Sequence, residues 1–296
     1  MMPSLVAALF FMLVRSLVYF MKTAIVAAIL LFIAVSNSYS TNAIGNNRFS
    51  VGQWIWSRAD EKIFLESRKI IPNILPCIWI STITVSRGAI VQNLAISPEL
   101  AKSVGSAAFI VRIDDSLNAL WNKERPDKIA HDIDSCLKNL IKLLTDAGVN
   151  IEEMQLDYDC PVRRLSAWSL AVRIATKGSL KGKHIWITSL PVHINDADYS
   201  VLFRGIVTGH ILQLFDTGIS ANQNTLDRLS LRLRRQSMPF RIGLGAFERA
   251  HSHESTDHQL WFSALSLFAE IPGYQGVWIF PGGGEWVNLY LAHSSN

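Results

Sequence analysis

Residues 155–161 read QLDYDCP and close an otherwise apolar run. Successive side chains of a strand point to opposite faces. Gln155, Asp157 and Asp159 therefore share one face, and Met154, Leu156 and Tyr158 share the other. A strand that is apolar on one side and doubly acidic on the other holds its acids either in water or in a site. The remainder of the chain decides between the two.

From residue 50 onward, short apolar runs rich in β-branched and aromatic residues recur at 53–57, 74–85, 107–114, 152–159, 184–190, 209–216, 239–247 and 276–280. Helical patterning separates most of them. Residues 128–148 place apolar side chains three and four apart and end at Gly148, and 162–176, 222–235 and 257–270 read similarly. The first two connections and the one at 196–206 carry weaker signals. Eight strands with helical connections in about 240 residues predict an α/β chain folded as a single (β/α)8 TIM barrel over 51–296. An open doubly wound sheet would place a glycine-rich turn after its first strand, and none is present. The long connection from Asp115 to Asp127 and the glycines at 282–284 then fall on the C-terminal rim, where such barrels carry their sites.

The composition, 49% apolar and 18% charged, suits a well-buried chain. The net charge of +4 comes without a Lys/Arg block or an aromatic-basic platform, so no nucleic-acid partner is expected. Residues 1–40 read as a signal peptide or membrane anchor, with 41–50 as a linker. From Met21, a basic Lys22, an apolar run at 24–35 and small residues at Ser38 and Ser40 form a secretory pattern, and Met21 is a candidate true start. Export to the periplasm or medium is expected; the alternative is an inner-membrane anchor if the segment stays uncleaved, the only route to a membrane. Cys77, Cys136 and Cys160 form neither a disulfide framework nor a zinc pattern. HSHES (251–255) lacks helical metal-site spacing, so no metal and no cofactor are expected.

In a barrel, the outward side chains pack under helices and the inward ones fill the lumen. Gln155, Asp157 and Asp159 then point inward, with Asp159 nearest the rim. The same parity sends Arg112 and Asp114 inward on the neighbouring strand, and Gln213 inward beside Phe215. A cation beside two carboxyls can hold one ionised while the other keeps its proton, the division of labour that acid-assisted glycoside cleavage uses. Glu248, just past the seventh run, is an alternative nucleophile opposite Asp159, although Ile242, Leu244 and Ala246 share its parity.

QLDYDCP with Arg163, Arg164 and Leu165, the later ITSLP (187–191) and LQLFD (212–216) resemble a bacterial family of exported barrels known as a domain of unknown function. More distantly, QLDYDCP resembles the fourth-strand signature of family-18 glycoside hydrolases, the chitinase-like enzymes, which runs Asp-x-Asp-x-Glu. The resemblance implies a general acid at Asp159 and an acetamido-orienting acid at Asp157, with Gln155 standing where the first Asp belongs. It also implies an aromatic floor at Phe280, and it sets Phe215 where a hydrogen-bonding Tyr is usual. Arg112, Asp114, Gln155, Gln213 and Phe280 are the expected substrate contacts. The expected function is glycoside hydrolysis on a carbohydrate; the alternatives are a non-catalytic glycan-binding barrel or an envelope scaffold.

Overall fold

The computed structural model describes residues 49–103, 107–196, 198–247 and 257–294. The strands are β1 (Ser50–Ile55), β2 (Leu75–Ser86), β3 (Ala89–Leu94), β4 (Ala108–Ile113), β5 (Glu153–Asp157), β6 (His184–Ser189), β7 (Gly209–Gln213), β8 (Phe240–Ala246) and β9 (Tyr274–Pro281). The α-helices are α1 (Arg58–Ile70), α2 (Pro98–Ser103), α3 (Leu117–Leu120), α4 (Pro126–Asp146), α5 (Leu165–Lys177), α6 (Pro191–Ile194), α7 (Tyr199–Phe203), α8 (Gln223–Arg235), α9 (Asp257–Ser263), α10 (Leu265–Ala269) and α11 (Trp286–Ser294). The strand order β1-β9-β8-β7-β6-β5-β4-β2 closes through a β1–β2 pairing, and every pairing in this ring is parallel. The chain is a closed eight-stranded (β/α)8 barrel.

Three elements depart from the sequence reading. The weak second connection is a hairpin: β3 pairs antiparallel with β2 through Arg87 and Gly88, both at positive φ (51° and 80°). Two consecutive left-handed residues make the primed turn whose twist matches a two-residue hairpin. The weak first connection is a full helix, α1, capped when Ser57 Oγ accepts the Asp60 N–H at 3.2 Å. The fourth strand stops at Asp157, two residues early. The segment read as leader and residues 41–48 of the linker lie outside the described residues, together with Glu248, His251 and His253, while Ser50, read as the end of the linker, already opens β1.

Two apolar cores follow from the strand parity. The larger lies between barrel and helices and takes Met154 and Leu156 of β5, Tyr158 just beyond it, and Val111 and Ile113 of β4. The smaller fills the lumen with Trp54, Trp186, Trp278, Cys77, Ile110 and Ile211. The lumen has room for three indoles because glycines face them: a Cβ on Gly243 would sit 2.8 Å from Trp54, and Gly52 and Gly209 back onto Trp278 and Trp186 in the same way. Beneath these rings Arg241 grips Glu153 with two bonds, at 2.6 and 3.0 Å. Its guanidinium also stacks 3.8 Å from the Trp186 ring centre. A planar, weakly hydrated cation suits this slot between indole faces better than an ammonium would.

Candidate active site at the barrel mouth

The site is built where strands end. Register pairs Arg112 of β4 with Asp157 of β5, so both emerge side by side at the mouth. Asp157 is the last residue of its strand and is sunk among neighbours. It accepts a bond from Gln213 Nε2 at 3.3 Å, from β7 two strands along, and another from the Thr188 hydroxyl on the intervening β6. Burial, reinforced by the charge of Asp159, pushes its carboxyl up to about 6, against the opposing pull of those two bonds and of Arg112.

Asp159 sits beyond the strand. The Cys160 N–H donates to the Tyr158 carbonyl at 2.7 Å, closing a three-residue turn with Asp159 at its centre, and Asp159 has no positive φ. This is the inverse γ-turn common at strand ends. The residue is exposed at the rim, yet its carboxyl is raised above the ordinary range, first by desolvation and then by Asp115 and Asp216, while Arg112 opposes. The two acids thus occupy different settings: one sunken and hydrogen-bonded, the other at the lip facing further acids.

Arg112 is exposed in the mouth, 5.9 Å from the ring centre of Trp56, and closes no ion pair among the described residues. Asp114 lies beside it with its carboxylate engaged in the backbone. It accepts the Ser116 N–H at 2.9 Å and the Thr84 hydroxyl at 3.4 Å, which tie β4 to the β2–β3 hairpin. The Ser116 bonds, ahead of any other influence, hold Asp114 below the ordinary carboxylate range. Gln155 is fully buried one step below Asp157. Its Oε1 accepts from Trp54 Nε1 at 2.8 Å and its Nε2 donates to Glu153 Oε1 at 3.1 Å. Of the seven described residues expected at the site, Asp157, Asp159, Arg112 and Gln213 converge at the mouth and Phe280 faces them. Gln155 and Asp114, expected to contact substrate, instead have their side chains bonded within the protein, Gln155 fully buried below the mouth and Asp114 beside it.

Phe280 belongs to an aromatic wall opposite the acids. Trp56 and Trp79 stack with ring centres 5.2 Å apart and planes 27° from parallel. Phe280 continues the wall, 6.4 Å from Trp56 and 5.6 Å from both Phe215 and Phe247. Trp56 is held in place by Asp60, whose Oδ2 accepts its backbone N–H at 3.0 Å. The mouth is therefore divided into an aromatic half and an acidic, hydrogen-bonding half. A pyranose is divided in the same way, with apolar C–H faces and hydroxylated edges.

Several contributors were not singled out from sequence. Thr188 was legible, since parity on HIWITSL puts Trp186 and Thr188 inward together. Asp115 and Asp216 lie in loops, where no period exists to read; Asp216 adopts a left-handed φ of 58°. Among the described residues, no group of three or more His, Cys, Asp or Glu is placed to hold a metal.

Solved structures share this barrel. The spore cortex-lytic enzyme SleL of Bacillus cereus superposes with a TM-score of 0.58 at 11% identity, over 89% of this chain and 81% of its own. A chitinase from Chromobacterium violaceum gives 0.55 at 12%, over 84% of this chain and 99% of its own. A xylanase-α-amylase inhibitor protein, XAIP-III, gives 0.57 at 11%, over 84% and 99%. No family model and no curated protein matches the sequence. At these identities the likeness establishes the fold alone, a closed (β/α)8 TIM barrel. That fold is shared by proteins described as enzymes and by one described as an inhibitor, so function has to be argued from the site.

Proposed function

We propose that this barrel is an exported glycoside hydrolase in which Asp159 is the general acid and Asp157 its electrostatic partner. The observation that carries the reading is the pair of unlike carboxyl environments facing an aromatic wall. Asp159, raised and accessible, is suited to protonating a leaving oxygen. Asp157, anchored by Gln213 and Thr188, is suited to holding the acetamido group or the developing positive charge at the sugar ring. Arg112 borders both acids and would bind substrate hydroxyls, while Phe280, Trp56 and Trp79 would stack on sugar faces. Export rests on the pattern of residues 21–40 alone.

The test is a screen of the protein, with residues 1–40 removed, on bacterial and plant polysaccharides, with Asp159→Asn run alongside. Sugar release by the wild type that falls by about 100-fold or more in the variant, with ligand binding retained, is the expected result. Undiminished release by Asp159→Asn would remove that residue from the mechanism.

A second reading, a non-catalytic glycan-binding barrel, is favoured by one feature: Phe215 offers a ring and no hydroxyl at the lip where the related enzymes carry Tyr. It predicts glycan binding without sugar release by either protein.

A further inference from the structure

The γ-turn that carries Asp159 is held at both ends by neighbouring strand β6 and the helix that follows it. Before the turn, the Tyr158 N–H donates to Thr188 Oγ1 at 3.0 Å. After it, the Cys160 carbonyl lies 2.7 Å from Nε2 of His193, on α6. The other ring nitrogen of His193, Nδ1, is 3.0 Å from the backbone N–H of Leu190. A backbone N–H can only donate and a carbonyl can only accept, so these contacts fix the neutral tautomer with its proton on Nε2. His193 is 1% exposed and its ring lies 17° from parallel to that of Tyr199. A buried imidazole bonded at both nitrogens to backbone is a rigid strut from the end of β6 to the residue after Asp159.

Resting on the reading of Asp159 as proton donor, we infer that His193 is a positioning residue that fixes the Asp159 turn through the Cys160 carbonyl. It touches no substrate. Its neighbours are Cys160, Asp196, Tyr199 and His210, and burial keeps it neutral below the usual histidine range. The sequence signal is slight: His193 is the third residue after Leu190, where a Glu or Gln side chain commonly reaches back to the cap.

The two nitrogens can be separated by substitution. Asn reaches only as far as Nδ1 and can still accept from Leu190; Gln reaches as far as Nε2 and can still donate to Cys160. In His193→Asn, exchange of the Cys160 amide should accelerate roughly tenfold or more, and the carboxyl titration of Asp159, followed by carbon NMR, should move. In His193→Gln both should stay close to wild type. Nitrogen NMR of the unmodified protein should show His193 protonated at Nε2. A proton on Nδ1, a His193→Asn indistinguishable from wild type, or equal impairment of both variants would overturn the inference. These readouts need no enzymatic activity, so a wild type that releases no sugar defeats the hydrolase reading separately. Where sugar is released, His193→Asn should lower kcat with little change in KM.

Discussion

Trp54 and Gln155 are joined across the lumen by one hydrogen bond, Nε1–H to Oε1 at 2.8 Å. The link fixes Gln155 deep in the lumen, below the acids of the mouth. Gln155 accepts from an indole above the Glu153–Arg241 pair and donates to Glu153, so its amide is committed downward. Asp157 takes its bonds from β6 and β7 instead, through Thr188 and Gln213.

Gln155→Leu should therefore destabilise the fold by about 1–3 kcal/mol, because it leaves the buried Trp54 N–H without an acceptor. Urea unfolding followed by circular dichroism measures this. A variant as stable as wild type would mean the indole finds another partner.

Asp157 makes stability depend on pH with a definite sign. Its native value, about 6, lies above the ordinary 3.8, so the native state binds this proton more tightly than the unfolded chain. The contribution is fully present below pH 4 and is lost as pH rises through 6, to a total of about 3 kcal/mol. Asp157→Asn should consequently be more stable than wild type at pH 7.5, and that advantage should vanish near pH 4. Denaturant midpoints at the two pH values decide it.

Breaking the lumen ion pair should be costly. Arg241→Met leaves the half-buried Glu153 without its cation and should cost about 2–4 kcal/mol, whereas Arg241→Met with Glu153→Leu should recover much of the loss. The comparison of single and double variants by urea melts reports the desolvation penalty directly.

The aromatic wall should govern affinity more than stability. Trp79→Ala removes a half-buried ring at the mouth and should weaken binding of a recognised glycan by about tenfold or more. Isothermal titration of whichever polysaccharide the screen returns provides the measurement. Equal affinity would place the sugar elsewhere.

Much of this architecture was written in period-two alternation. On β4 and β5 the inward set, Arg112, Gln155 and Asp157, followed from the apolar character of Val111, Ile113, Met154 and Leu156, because those residues must pack beneath helices. Alternation fails where strands stop, which is why Asp159 reads as strand although it lies in a turn. It also cannot show how deep an inward residue sits: Gln155 and Gln213 look alike in sequence, yet only Gln213 reaches Asp157. The hairpin went unread, although the Arg-Gly pair between STITVS and AIVQNL, two alternating runs, is its signal. The α11 helix is less legible, with Trp286, Val287 and Tyr290 buried but little regular spacing to announce them.

The pairing that closes the ring also orders its assembly. Ser50 Oγ donates to the Gln275 carbonyl at 2.9 Å, joining positions 225 residues apart, and β1 lies between β2 and β9. A chain emerging from the ribosome can build seven strands in sequence, but the eighth must arrive before the first gains its second neighbour. Until then the outer edges of β1 and β8 stay open to other polypeptides. Ring closure joins the two ends of the barrel sequence, so among its strand pairings it carries the greatest loop-closure cost.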